Sequence, residues 1–148
     1  MKTFLLVTTL AIALPFLCSC GGNNSKTTDS NSTLFATLAE KQSFMERYVS
    51  FRRHYDDLDF HISYMDGGDG MLPGPTEWDI RVFAKVPKES LDEWFSGMAL
   101  TQTPDLSWVS SIPKAPSNLS SFQWYADGRR IVGISRDECL ALYWNHTK

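Results

Sequence analysis

Leu58-Asp59-Phe60-His61-Ile62-Ser63-Tyr64 and, after a Gly/Pro-rich break, Trp78-Asp79-Ile80-Arg81-Val82-Phe83-Ala84-Lys85-Val86 are the stretches whose reading decides the fold. In each, large apolar side chains recur at every second position, with polar or charged residues between most of them. Successive side chains of a strand point to opposite faces, so this period predicts two strands, each with one buried face. Their consecutive order favours antiparallel pairing. Asp66-Gly67-Gly68-Asp69-Gly70, between them, reads as a hairpin connection on the ordinary turn preferences of Gly and Asp. A calcium loop would need spaced oxygen ligands and a distant Glu, which this run lacks.

Upstream the period changes. From Leu34 to about Tyr55 the chain has no Gly or Pro and carries Leu34, Leu38, Met45, Tyr48 and Val49 near helical spacing. This predicts one long helix, capped by Ser32 or Thr33, with Arg52, Arg53 and His54 in its last turn. Downstream, Pro87 ends the second strand and opens a short helix from Lys88 to Ser96, stopped by Gly97. Thr103-Pro104-Asp105 starts another, through Val109. Residues 111 to 121 are a Pro/Ser-rich loop. Three short strands follow, Phe122 to Tyr125, Arg130 to Ile134 and Cys139 to Trp144, the first pair joined by an Asp127-Gly128 hairpin turn. The expected class is therefore α+β: one long N-terminal helix and two short helices packed on an antiparallel sheet of four to five strands.

The N-terminus reads differently from the rest. Lys2, an apolar run from Phe4 to Leu17, and small residues before a cysteine have the layout of an export signal. Leu17-Cys18-Ser19-Cys20 resembles the lipobox of bacterial lipoprotein precursors: Leu, a tolerant position, a small residue, then the lipidated Cys. The resemblance covers residues 1 to 20 and implies cleavage before Cys20, with Cys20 carrying the lipid. Leu17 before Cys18 is too large for the rival cleavage. The implied organisation is a signal peptide at 1–19, the lipidated Cys and a flexible tether at 20–33, and one globular domain at 34–148. The tether reading rests on residues 21 to 32, which contain no large apolar side chain. By the same resemblance Gly21, which is not Asp, implies delivery to the outer membrane in a Gram-negative host.

Loss of the signal would remove only Lys2 among charged residues, taking Lys plus Arg from 14 to 13 against 17 Asp plus Glu. That acidic balance, with basic residues in runs no longer than pairs such as Arg52-Arg53 and Arg129-Arg130, argues against nucleic acid as a partner. Attachment to a membrane would rest on the lipid. Cys139 would be the one thiol left, so no intramolecular disulfide is expected.

The chain carries no Gly-x-Ser-x-Gly, His-Glu-x-x-His or phosphate-binding Gly loop, and no cofactor or metal site is expected. Cys139 reads as a small buried hydrophobe, and most of the Trp residues as core. Trp108 is set apart by its place beside the Pro/Ser-rich loop. The expected function is a non-enzymatic, lipid-anchored envelope protein that binds a protein, peptide or glycan through an irregular edge at 66–75 and 104–120. Its candidate binding residues are Asp66, Asp69 and Trp108. The alternative is a small envelope hydrolase that uses the outward charged face, with Asp59, His61 and Arg81 around a cleft. A flat cross-strand ladder of these charges would favour the binder.

Overall fold

The computed structural model describes residues 27–50, 52–67, 74 and 76–147. Strands run at β1 (Thr28–Asn31), β2 (Asp57–Asp66), β3 (Thr76–Lys85), β4 (Ala99–Thr101), β5 (Gln123–Asp127), β6 (Arg130–Ser135) and β7 (Leu140–His146), with one α-helix, α1 (Leu38–Met45). All seven strands form a single sheet in the order β1-β2-β3-β7-β6-β5-β4. Every neighbouring pair is antiparallel.

The α+β expectation with its long N-terminal helix is overturned. Among the described residues the fold is mostly β, and the α-helix is the eight residues of α1. Thr37, not Ser32 or Thr33, caps it: the Thr37 hydroxyl accepts from the Glu40 N–H, and the Glu40 carboxylate accepts from the Thr37 N–H. This reciprocal capping box fixes where the helix begins. The residues before it are already committed elsewhere, Ser32–Leu34 to a 3-10 turn and Phe35 to extended backbone. Beyond Met45 the chain turns through residues 46–48, where Tyr48 and Val49 are weaker helix formers than the Leu, Ala, Glu, Lys and Gln of α1. The two short helices foreseen near 88–96 and 104–109 are 3-10 segments at Lys88–Trp94 and Ser107–Ser111.

Two edge strands went unforeseen. β1 falls within the stretch read as tether, and Thr-Asp-Ser-Asn has no apolar residue to announce it. It exists because β2 has an edge of backbone donors and acceptors to satisfy, a task that needs no particular side chain. β4 is three exposed residues along the opposite edge. Gly128, at φ +56°, makes the tight β5–β6 turn that Asp127-Gly128 predicts.

The connections decide what covers the sheet. The β3–β4 crossover carries Lys88–Trp94 over the first face, where Leu91 and Trp94 join Phe60, Ile62, Val82, Val132 and Tyr143 in the main core. Residues of α1, among them Leu38 and Met45, close the same face. The β4–β5 connection carries Ser107–Ser111 and the following loop over the second face, where Trp108, Val109 and Ile112 pack on Phe83, Trp124 and Leu142. That second cover stops short. Towards β1 and β2 no other described element covers the second face beyond Asp59. No helix among the described residues is long and apolar enough to cross a membrane.

Candidate functional site

The open part of the second face forms a concavity of about 460 Å³, lined among others by Asp29, His61, Asp79, Arg81, Trp144 and His146. Strand register builds it. Ser63 lies opposite both Asp29 and Asp79, and His61 lies opposite Arg81. Arg81 in turn lies opposite Trp144, and Asp79 opposite His146. Because the side-chain period is two, these residues share one face as a contiguous patch.

Arg81 and Asp79 organise the patch. Arg81 Nε donates to Asp79 Oδ1 at 2.8 Å, and Nη2 donates to Asp79 Oδ2, making a two-pronged pair. The indole N–H of Trp144 donates to the same Asp79 Oδ1 at 2.8 Å. Burial pushes the Asp79 carboxyl up, but hydrogen bonds from Arg81 and Trp144, with the Arg81 charge, outweigh it and hold the group below the usual carboxylate range. Arg81 Nη1 donates to the Ser111 hydroxyl at 2.8 Å, which donates onward to the Trp108 carbonyl. The polar wall is thereby tied to the segment covering the rest of the face.

Aromatic rings form a second support. Trp108 stacks on Trp144 with centroids 5.4 Å apart, and Trp144 on His146 at 4.1 Å. On the far side His61 Nε2 lies 2.8 Å from Asp29 Oδ1, linking β2 to β1.

The foreseen residues separate. His61 and Arg81 do line one concavity, but Asp59 does not belong to it. Asp59 is 3% exposed and accepts from Ser32 at 2.6 Å and Lys41 at 2.8 Å, with Lys114 at 3.4 Å. Burial pushes its carboxyl up, yet the hydrogen bonds from Lys41 and Ser32 and the charges of Lys41 and Lys114 hold it low. It is a structural joint between the N-terminal segment, β2 and the cover loop. Trp108 is 3% exposed within the second-face core, so it supports the site from below and offers a ligand no surface. The exposure expected of it is corrected by the stack on Trp144, which draws the ring inward. Asp66 ends β2, paired with Thr76. Asp69 and Cys20 lie outside the described residues. Cys139 sits in the β6–β7 turn at φ +57°, its thiol 3.8 Å from the Arg136 carbonyl.

Residues 104–120 do shape a groove of their own, about 690 Å³, with Leu106, Val109, Ile112, Leu119 and Phe122 among its walls and no charged side chain. Asp29, Trp144 and His146 were missed as site residues. The signal for the last two was the alternation Leu142, Trp144, His146, which continues the outward row set by Asp79 and Arg81. Asp29 had no signal, because β1 had none. Among the described residues no cluster of His, Cys, Asp and Glu is arranged to hold a metal ion. The chain matches no protein-family model, no curated protein and no solved structure.

Proposed function

We propose that this protein is a lipid-anchored, non-enzymatic binding module of the cell envelope, and that its ligand site is the concavity over β2, β3 and β7. The observation that supports this most is that the polar groups there are already fixed by protein partners. Arg81, Asp79 and Trp144 hold one another, and His61 is held by Asp29. Groups fixed in advance lose little freedom on binding, which favours recognition. A hydrolase would instead need an acid and a base poised at one reacting atom. The trio foreseen for that role is divided, with Asp59 locked to Lys41 and Ser32.

The anchor rests on the lipobox resemblance at Leu17-Cys18-Ser19-Cys20. Mass spectrometry of the mature protein is expected to show an acylated Cys20 followed by Gly21, and an N-terminus at Cys18 would overturn the assignment. The site is tested by pull-down from envelope extract with full-length protein in detergent. Ser63 is an exposed residue of the concavity, so Ser63→Trp fills the site without entering the core. Capture is expected to be lost with the denaturant midpoint unchanged. Undiminished capture by Ser63→Trp would move the site elsewhere, and a hydrolytic activity abolished by His61→Ala would favour the enzyme.

A further inference from the structure

We propose that the rim of the first face beside β1 rests on the lipid surface that holds the anchor, with a row of aromatic rings lying at headgroup level. This rests on Cys20 carrying the lipid. The row is a chain of ring contacts: Phe35 to Phe44 at 4.8 Å between centroids, Phe44 to Tyr48 at 5.2 Å and Tyr48 to Tyr64 at 5.3 Å. All four rings are half-buried, packed on the main core from its edge. Leu34 beside them is 70% exposed. Leu34, Phe35, Ala36, Ala39 and Phe44 help to wall an open hollow of about 570 Å³ along α1. Arg47 lies over the Phe44 ring, 5.8 Å from its centroid. Apolar rings, two of them bearing hydroxyls, with a guanidinium at their margin are the side chains that settle at a membrane–water boundary.

The length of chain between the anchor and the sheet argues for lipid as the occupant. Tyr64 lies opposite Thr28, and the Asp66 N–H donates to the Thr27 hydroxyl at 3.2 Å, so the chain enters the sheet at one end of the row. β1 takes Thr28–Asn31 out of the stretch read as tether, which leaves seven residue steps from Cys20 to Thr27. Even fully extended, those steps span at most about 25 Å. The row is shorter still. Phe35 and Phe44 both pack on Phe60, four residues from Tyr64 along β2, a distance of about 13 Å. A lipid surface is therefore held within reach of the whole row, at an effective concentration that a separate protein does not have. Near α1 the exposed Glu40 and Glu46 outnumber Arg47. The contact therefore draws on apolar burial against a neutral lipid and should persist in added salt, which weakens charged contacts. The row belongs to the first face, so docking leaves the concavity on the second face open.

The test is nuclear magnetic resonance of the full-length lipidated protein in phosphatidylcholine bicelles that carry a doxyl spin label on the lipid. Signal loss is expected at the Leu34, Ala39 and Ser43 amides and not at Leu100. Leu100 is equally exposed, at 71%, but sits on β4, six strand spacings or about 29 Å from β1. Leu34→Glu changes an exposed position and should leave the denaturant midpoint unchanged. It should move the docked-to-free balance by about tenfold or more, the scale of losing one buried apolar side chain, and the signal loss at Ala39 and Ser43 should fall with it. Equal loss at Leu34 and Leu100, or loss at neither, in protein whose Cys20 is acylated by mass spectrometry overturns the contact while the anchor stands. An unacylated Cys20 overturns the anchor and the contact together. If Leu34→Glu abolishes envelope capture without changing the signal loss, the row meets a protein and the lipid contact falls.

Discussion

The two faces of one sheet meet different fates. The first is sealed by α1 and Lys88–Trp94 over a core in which Phe60, Val82, Val132 and Trp94 have no exposure. The second is sealed only beneath Ser107–Ser111 and its loop, and gives way to a polar wall where the cover ends. Since β2, β3 and β7 contribute to both faces, strand pairing alone does not decide where a site forms. The reach of the covering connections does.

The sharpest way to break this comparison is to truncate one tryptophan from each face. Trp94→Ala should cost about 3 to 5 kcal/mol in chemical denaturation, as expected for a fully buried aromatic. Trp108→Ala should also destabilise, but by less. Among the described residues the Trp108 indole N–H is buried without a hydrogen-bond partner, whereas that of Trp94 donates to the His54 carbonyl at 3.2 Å. Leaving such a donor unmade is itself a cost that the truncation removes. The corresponding Phe variants sharpen the contrast: Trp108→Phe should be much milder than Trp94→Phe. Equal losses for the two would mean that the second face is sealed as completely as the first.

The joint at Asp59 probes what ties the second cover to the sheet. Asp59→Asn removes the carboxylate that hydrogen-bonds the buried Lys41 ammonium, leaving it only the Asp57 carboxylate at 3.9 Å, and should cost about 3 kcal/mol, the lower range for breaking a buried pair. The pH dependence has a definite sign. The carboxyl is held low in the folded state, so the unfolded chain binds more protons in acid. Its stabilisation is therefore complete above the unfolded value of about 4 and is lost as pH falls through the lower folded value. Thermal melts of Asp59→Asn should show a shallower decline below about pH 4 than the wild type. An identical acid decline would assign the acid sensitivity to other carboxylates, such as Asp79.

A smaller effect is expected at Gly133, on the second face beneath Trp124. A Cβ there would lie 2.6 Å from the Trp124 ring, which is itself buried. Gly133→Ala should cost about 1 to 3 kcal/mol through overpacking, and Trp124→Leu should relieve part of it in a double variant. A neutral Gly133→Ala would show that this part of the second face is loosely filled.

The legibility of the chain follows the same division. Alternation exposed β2 and β3 because their inward and outward rows differ in polarity, and Asp127-Gly128 marked the hairpin because its geometry is local. Edge strands were invisible: β1 and β4 are held by backbone pairing, and their side chains carry no pattern. The helix was overextended because apolar spacing was followed through Leu34–Tyr55 while the Thr37-x-x-Glu40 box, which sets the true start, was passed over. Of the site, His61 and Arg81 were readable as outward neighbours. The run Leu140-Ala141-Leu142-Tyr143-Trp144 reads as a strand, but its continuous apolarity, which marks burial on both sides and so a central place in the sheet, went unused. Trp108 misled because proximity to a Pro/Ser-rich loop says nothing about which way a ring turns.

The placement of β3 beside β7 has a consequence for how the chain assembles. β1-β2-β3 and β4-β5-β6-β7 are two meanders, each closing between sequence neighbours, and one seam from Asp79–His146 to Lys85–Leu140 joins them. Hairpins form in about 1 to 10 μs, whereas the seam must wait for a long segment to close, which places the complete sheet in the millisecond-to-second range. The Arg81–Trp144 pairing lies on that seam. The concavity is therefore among the last features to exist: neither meander holds a binding surface until the two halves have met.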